Sequence, residues 1–184
     1  KSKKIGTILN LTPAYPASDS PKDQAAAEFA ELWANKMFLE PAVLGHYPQK
    51  LVEILERAGV LWEQTPAELQ LLKEQTVDVL GVNFYHPFRV KAPAVSPDSL
   101  QPWMPDIYFD EYEMPGRVMN VDKGWEIYPK ALYDIAVNIR DNYNNIEWFV
   151  SENGMGVSGE ERFMEKNGMV CDDYRIEVMK KHLK

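Results

Sequence analysis

The sequence predicts an α/β fold built from parallel βα units, and three observations predict it. Short apolar runs occur at residues 5–11 ("IGTILNL"), 77–84 and 146–150 ("IEWFV"), and stretches with helical periodicity separate them. The runs are nearly continuous in hydrophobicity rather than alternating, which suits strands covered on both faces. Strand, helix, strand, helix, strand, helix is also the order that parallel pairing requires, because each crossover must return the chain to the same end of the sheet.

Each element has its own signal. The strand at residues 5–11 runs into the breaker-rich "TPAYPASDSP". From about residue 24 to 38, Phe29, Leu32, Trp33 and Met37 recur at helical spacing and form one apolar stripe. A second helix covers residues 49–58, with Leu51, Ile54 and Leu55 on one side and Gly59 as its stop. "TPAE" at residues 65–68 is a capping box: Thr65 caps, Pro66 takes the first helical position, and Glu68 reaches back to the cap. The strand at residues 77–84 follows. Residues 91–124 are rich in proline and aromatics ("PWMPDIYFDEYEMPGR") and show no clear periodicity, the mark of a functional loop or a disordered excursion. Pro129 opens a helical pattern through Leu132, Ile135, Ala136 and Ile139 that feeds the third strand. The last helix begins near Asp172 or Asp173, with Lys180, Lys181 and Lys184 at the end where the helix dipole favours cations.

Composition bounds the function. With 184 residues, 45% hydrophobic and 26% charged, the chain holds one domain with a core, or a large piece of something bigger, and disorder is not the leading explanation. A net charge of −8 argues against a general nucleic-acid partner, which needs a basic face. The single Cys171 cannot form an internal disulfide and fits a reducing compartment, so the cytoplasm is the expected location. No run approaches the ~20 apolar residues of a membrane span. His46, His86 and His182 lack metal-ligand spacing, and no glycine-rich phosphate loop occurs, so neither metal nor cofactor is expected. The chain opens without Met on "KSKKIGTILNL" and closes on "IEVMKKHLK" inside a helical pattern with no stop signal; truncation at both ends is the expectation.

In parallel α/β architectures, ligands sit at the carboxyl ends of strands. Three polar clusters fall there: Asn10; Asn83 with Tyr85 and His86; and Glu152 with Asn153. Glu152 at such a position is either a structural carboxylate held by backbone groups or a nucleophile in glycoside cleavage, working with a second carboxylic acid. Tyr85 is either a core tyrosine or the hydroxyl that orients that carboxylate. A non-enzymatic α/β binding module is the rival from another class. The tryptophans read first as core residues, with Trp125 or Trp103 as the alternative candidates for a ring that faces a sugar.

Five ordered blocks across the chain resemble glycoside hydrolase family 1: "GTILNLTPAYP", "MFLEPAVLGHYP", "DVLGVNFY", "GWEIYPKALYD" and "VSENGMG". The resemblance implies a (β/α)8 barrel, the TIM barrel, of which residues 1–184 form one partial domain covering units five to seven. It places Glu152 on the nucleophile, Tyr85 on the residue that orients it, Asn83 and Asn10 on pocket residues, and Trp125 in a block that closes on the site. "SENGMGVSGEERF" and "YFDEYEMPGR" look most like the bacterial 6-phospho-β-glucosidases, which implies a small 6-phosphorylated β-glucoside as substrate; a non-phosphorylated β-glucosidase or β-galactosidase is the alternative. The family's Asn-Glu-Pro acid/base motif does not occur in the chain, nor does the region after strand seven that carries its phosphate contacts. The chain alone is therefore expected to be inactive, and to self-associate or require the missing parts of its barrel.

Overall fold

In the computed structural model, which describes residues 3–96 and 102–183, the chain runs β1 (Gly6–Asn10), β2 (Ala14–Pro16), α1 (Pro21–Glu31), a π-helical turn (Leu32–Lys36) and α2 (Met37–Leu44). Then come α3 (Gln49–Arg57), α4 (Pro66–Glu74), β3 (Val79–Asn83), β4 (Phe88–Lys91), β5 (Asp110–Glu111), β6 (Met119–Asn120) and β7 (Trp125–Glu126). α5 (Lys130–Asn142), β8 (Glu147–Glu152) and α6 (Asp173–His182) complete the order. β1, β3 and β8 form one parallel sheet in the order β1-β3-β8. This is a partial (β/α)8 barrel of about three βα units. Two small sheets, β2-β4-β5 and the hairpin β6-β7, are built from the segments that follow the carboxyl ends of β1 and β3.

Local chemistry explains the helix boundaries. Ser20 caps α1 through the amide of Asp23 with Pro21 in the first turn, so the helix begins three residues earlier than the apolar stripe alone implies. It also continues past residue 38 into α2. The π turn lies just before Pro41, whose ring and missing N–H exclude regular bonding there. The Thr65–Glu68 capping box is fully formed. Asp172 sits at the start of α6 without capping it; its carboxylate accepts from Arg175 Nη1 at 2.8 Å instead. Lys184 and residues 97–101 of the long loop lie outside the described residues.

The core lies on the helix side of the sheet. Leu80, Val82 and Phe84 pack against Leu132, Ile135 and Ile139 of α5 and against Leu39 and Val43 of α2. Each such buried side chain contributes about 1.5–3 kcal/mol. The opposite face differs from the sequence expectation of strands covered on both sides: only β3 is buried along its middle, while Ile8 and Phe149 remain 57% and 51% exposed. The reason is geometric. These side chains point to the face that a closed barrel fills with its remaining strands, and the described sheet has only three. Gly81 sits on that face, where a Cβ would come within 2.8 Å of Ile8 Cγ1 and 3.1 Å of Ser151 Oγ. Among the described residues no helix is long and apolar enough to cross a membrane.

The proline- and aromatic-rich loop is anchored by its rings. Tyr108 stacks on Phe29 of α1 at 4.0 Å, and Trp103 packs between Trp33 and Tyr108, donating Nε1–H to the Tyr108 hydroxyl at 3.0 Å. Trp103 is thus a packing residue of this outer cluster, in line with its reading as a core ring rather than a sugar-facing one.

The chain just after β1 is fixed by α1 and the π turn. Asn35 exchanges bonds with Thr12 (2.8 Å to its amide, 3.0 Å to its carbonyl) and donates to Glu31, which also accepts from Ala14 N at 3.1 Å. Burial pushes the Glu31 carboxyl above its ordinary 4.5, although these two bonds oppose the shift. The folded state therefore holds this proton more tightly than the unfolded one, and stability falls as pH rises from about 4.5 through the raised value. Glu31→Gln removes that fall. In urea titrations between pH 4 and 7, the stability difference should move in favour of the variant as pH rises; a constant or opposite trend contradicts the assignment.

Candidate active site

The parallel register carries three polar residues to one edge of the sheet. Asn10 stands opposite Asn83, and Asn83 stands opposite Glu152. The second pairing depends on a register shift: Val82 faces Val150 and the next residue, Asn83, faces Glu152, so Ser151 is the extra residue of a β-bulge. Bulges re-aim side chains, and this one turns the Ser151 hydroxyl onto Asn83 Oδ1 at 2.7 Å.

Beyond the bulge, the two strand ends remain tied together. Phe84 N donates to the Glu152 carbonyl at 2.9 Å, and Asn153 Nδ2 donates to the Phe84 carbonyl at 2.8 Å. Gly154 then takes φ +153° with open space where its Cβ would be, so the backbone conformation and not crowding requires glycine. The triplet Glu152-Asn153-Gly154 thereby has a physical reason at each position: a carboxylate at the rim, an amide clamp and a sharp exit.

The hydroxyl of Tyr85 donates to Glu152 Oε2. That bond, with partial desolvation and the neighbouring negative charge, raises the Tyr85 hydroxyl above its ordinary pKa, so it remains a donor throughout the neutral range. The Tyr85 ring lies 5.2 Å from Trp125, and the His86 ring stacks on the same indole at 5.2 Å and 29°. Trp125 comes from the β6-β7 hairpin, which is bound to the loop after Glu152 by Asn120 Nδ2 donating to the Gly156 carbonyl at 2.9 Å. The structure thus gathers Glu152, Tyr85, Asn83, Asn10 and Trp125 around one end of the sheet. A cleft of about 550 Å³ touches this group only at Tyr85 and Glu152; its other walls, among them Val150, Leu132, Met179 and His182, lie between the end of β8, α5 and α6, and Asn10, Asn83 and Trp125 do not line it. At the end of α6, Lys180, Lys181 and Leu183 are exposed, while His182 is half-buried. Its Nδ1 lies 2.8 Å from the Val178 carbonyl, and its ring sits 5.8 Å from Phe84.

A neighbouring ion pair was not legible in the sequence. Arg89 of β4 donates Nε and Nη2 to the two carboxylate oxygens of Glu126 at 2.9 and 2.8 Å, with both side chains buried. Its partner is 37 residues away across an aperiodic stretch. The one available signal was an arginine inside the otherwise apolar "PFRV". Among the described residues, no group of three His, Cys, Asp or Glu side chains is arranged to hold a metal ion.

The Asn153 clamp can be tested by stability. Asn153→Ala leaves the Phe84 carbonyl without this donor and should cost about 0.5–1.5 kcal/mol in chemical denaturation. A variant as stable as the parent contradicts the clamp.

Known proteins match the chain along nearly its whole length. The family model described as glycosyl hydrolase family 1 matches residues 1–184. The 6-phospho-β-glucosidase GmuD of Bacillus subtilis is 54% identical over 98% of the chain, which spans 39% of that relative. Among solved structures, a β-glucosidase from Exiguobacterium marinum superposes with a TM-score of 0.79 at 25% identity, covering 100% of this chain and 38% of its own. The family 1 β-glucosidase from Thermotoga maritima superposes with a TM-score of 0.74 at 28% identity, covering 98% and 37%. The chain therefore spans about two fifths of the length of the proteins it matches.

Proposed function

The chain belongs to glycosyl hydrolase family 1, and from that premise we propose that it is part of a retaining β-glycosidase in which Glu152 is the nucleophile. The observation that carries this reading is the Glu152 carboxylate at the rim of the parallel sheet, held through Oε2 by the Tyr85 hydroxyl. That arrangement engages one oxygen and leaves Oε1 to attack an anomeric carbon. The leaving oxygen takes its proton from a carboxylic acid outside this chain. A glycosyl ester then forms on Glu152, and water activated by the same outside residue hydrolyses it with net retention. In such a mechanism the two carboxyls stand about 5–5.5 Å apart.

Around this step, Asn83 and Asn10 offer hydrogen bonds to sugar hydroxyls, and Trp125 offers an apolar face beside Tyr85. The substrate class is a 6-phosphorylated β-glucoside, supported by the 54% identity to a relative described as a 6-phospho-β-glucosidase. A phosphorylated sugar does not cross a bilayer unaided, and this fits a bacterial cytoplasmic enzyme. No cofactor enters the chemistry. Residues 1–184 act as one partial domain that needs the rest of the barrel, since a three-stranded sheet with one open apolar face cannot enclose a substrate.

Two experiments test this reading. In the full-length enzyme, Glu152→Gly should lower kcat on an aryl 6-phospho-β-glucoside by on the order of 10⁴ or more. Added azide should restore turnover and yield the α-glycosyl azide, because the small anion enters from the side the carboxylate vacated; near-normal hydrolysis by the variant contradicts the assignment. The purified 184-residue chain should show no hydrolysis of the same substrate, and measurable turnover by it overturns the requirement for the missing acid.

A further inference from the structure

We propose that the buried Arg89–Glu126 pair is a positioning device that sets Trp125 against Tyr85, and so fixes the width of the site beside Glu152. The proposal rests on the glycosidase reading above and goes beyond it by assigning two further residues.

Glu126 directly follows Trp125 in β7, and Arg89 lies three residues beyond His86, whose ring stacks on that same tryptophan. The pair therefore joins the backbone on either side of the Trp125 contacts. The β6-β7 hairpin pairs only two residues on each strand, too few to hold a geometry alone. Its position must come from outside: Asn120 ties it to the Gly156 carbonyl at 2.9 Å, and Arg89 adds a two-pronged contact at 2.9 and 2.8 Å on the Trp125 strand itself. A planar fork fixes angle as well as distance, which a lysine ammonium cannot do.

The fork is itself immobilised. The Arg89 guanidinium lies 5.1 Å from the Tyr15 ring and 4.7 Å from the Tyr128 ring. These rings meet edge to face at 5.5 Å, and the Tyr15 hydroxyl donates to Asp134 of α5 at 2.6 Å. The Arg89 and Glu126 side chains are 9% and 4% exposed. A buried ion pair gains little net stability over apolar residues of similar size, because desolvation offsets the attraction. What this pair contributes is a defined position: it references Trp125 to the segment after β1, to β4 and to α5 together. Arg89 and Glu126 touch neither Glu152 nor its Tyr85 partner in the hydrogen-bond pattern, so they are positioning residues.

A double-mutant cycle in the full-length enzyme tests this. Arg89→Met, Trp125→Ala and the double variant are compared on an aryl 6-phospho-β-glucoside, with kcat, KM and the thermal midpoint measured for each. Arg89→Met should lower kcat/KM about tenfold, mainly through KM, in the parent background, and by less than about twofold once Trp125 is gone. An equal loss in both backgrounds means a general structural role and overturns the proposal, as does unchanged kcat/KM. If Arg89→Met does not fold, Glu126→Gln, which keeps the side-chain shape, enters the same cycle with the same deciding outcomes. Absence of hydrolysis by the unmutated enzyme on the 6-phospho substrate and on the unphosphorylated aryl β-glucoside and β-galactoside alike refutes the glycosidase reading and this proposal with it. Failure of the positioning role alone leaves that enzyme active.

Discussion

The register of β1, β3 and β8 is the constraint on which the site depends. Side chains alternate along a strand, so a one-residue slip between neighbours would send Asn10, Asn83 or Glu152 to the wrong face. The bulge at Ser151 is part of that register. It brings Glu152 opposite Asn83, where an unbroken ladder would have placed Ser151. The bonds past the strand ends, Phe84 to Glu152 and Asn153 to Phe84, then hold the carboxylate where the Tyr85 hydroxyl can reach it.

The energetics are divided between the two faces of the sheet. The helix side is packed with Leu80, Val82 and Phe84 against α5 and α2, and supplies most of the apolar burial. The other side bears Ile8 and Phe149 in the open and Gly81 in a space too tight for a Cβ. That asymmetry is what a wall segment of a barrel shows, with the helices outside and an interior that only further strands can close. Above the sheet, the loops are held by polar and aromatic anchors rather than by secondary structure of their own. Asn35 with Glu31, Arg89 with Glu126, and Tyr108 on Phe29 each fix a segment that two- or three-residue strands could not.

What the sequence disclosed and what it concealed divide along range. Features set by neighbours in the chain were legible: the Thr65–Glu68 box, Gly59 after α3, the apolar runs of all three long strands, and Glu152 at the end of one of them. Tyr85 and Glu152 could be paired because one sits just past a strand end and the other at one, and parallel strands deliver such residues to one edge. The Arg89–Glu126 pair could not, since neither residue has a local pattern and their meeting depends on the path of an aperiodic loop. The bulge at Ser151 was hidden for a related reason, because it is a property of two strands and not of one. By residue type alone Trp103 and Trp125 looked equivalent, and the resemblance singled out Trp125. Their partners separate them in the fold, an outer packing cluster for Trp103 and Tyr85 with His86 for Trp125.

The central claim is that Glu152 forms a covalent bond to the sugar. A 2-deoxy-2-fluoro 6-phosphoglucoside with a good leaving group slows breakdown of the ester, so incubation with the full-length enzyme and peptide mass spectrometry locates the attachment directly. One glycosyl unit on the peptide carrying Glu152, with fragmentation placing it on that residue, is the expected result. A label on any other residue, or none while the enzyme still turns over its substrate, contradicts the account.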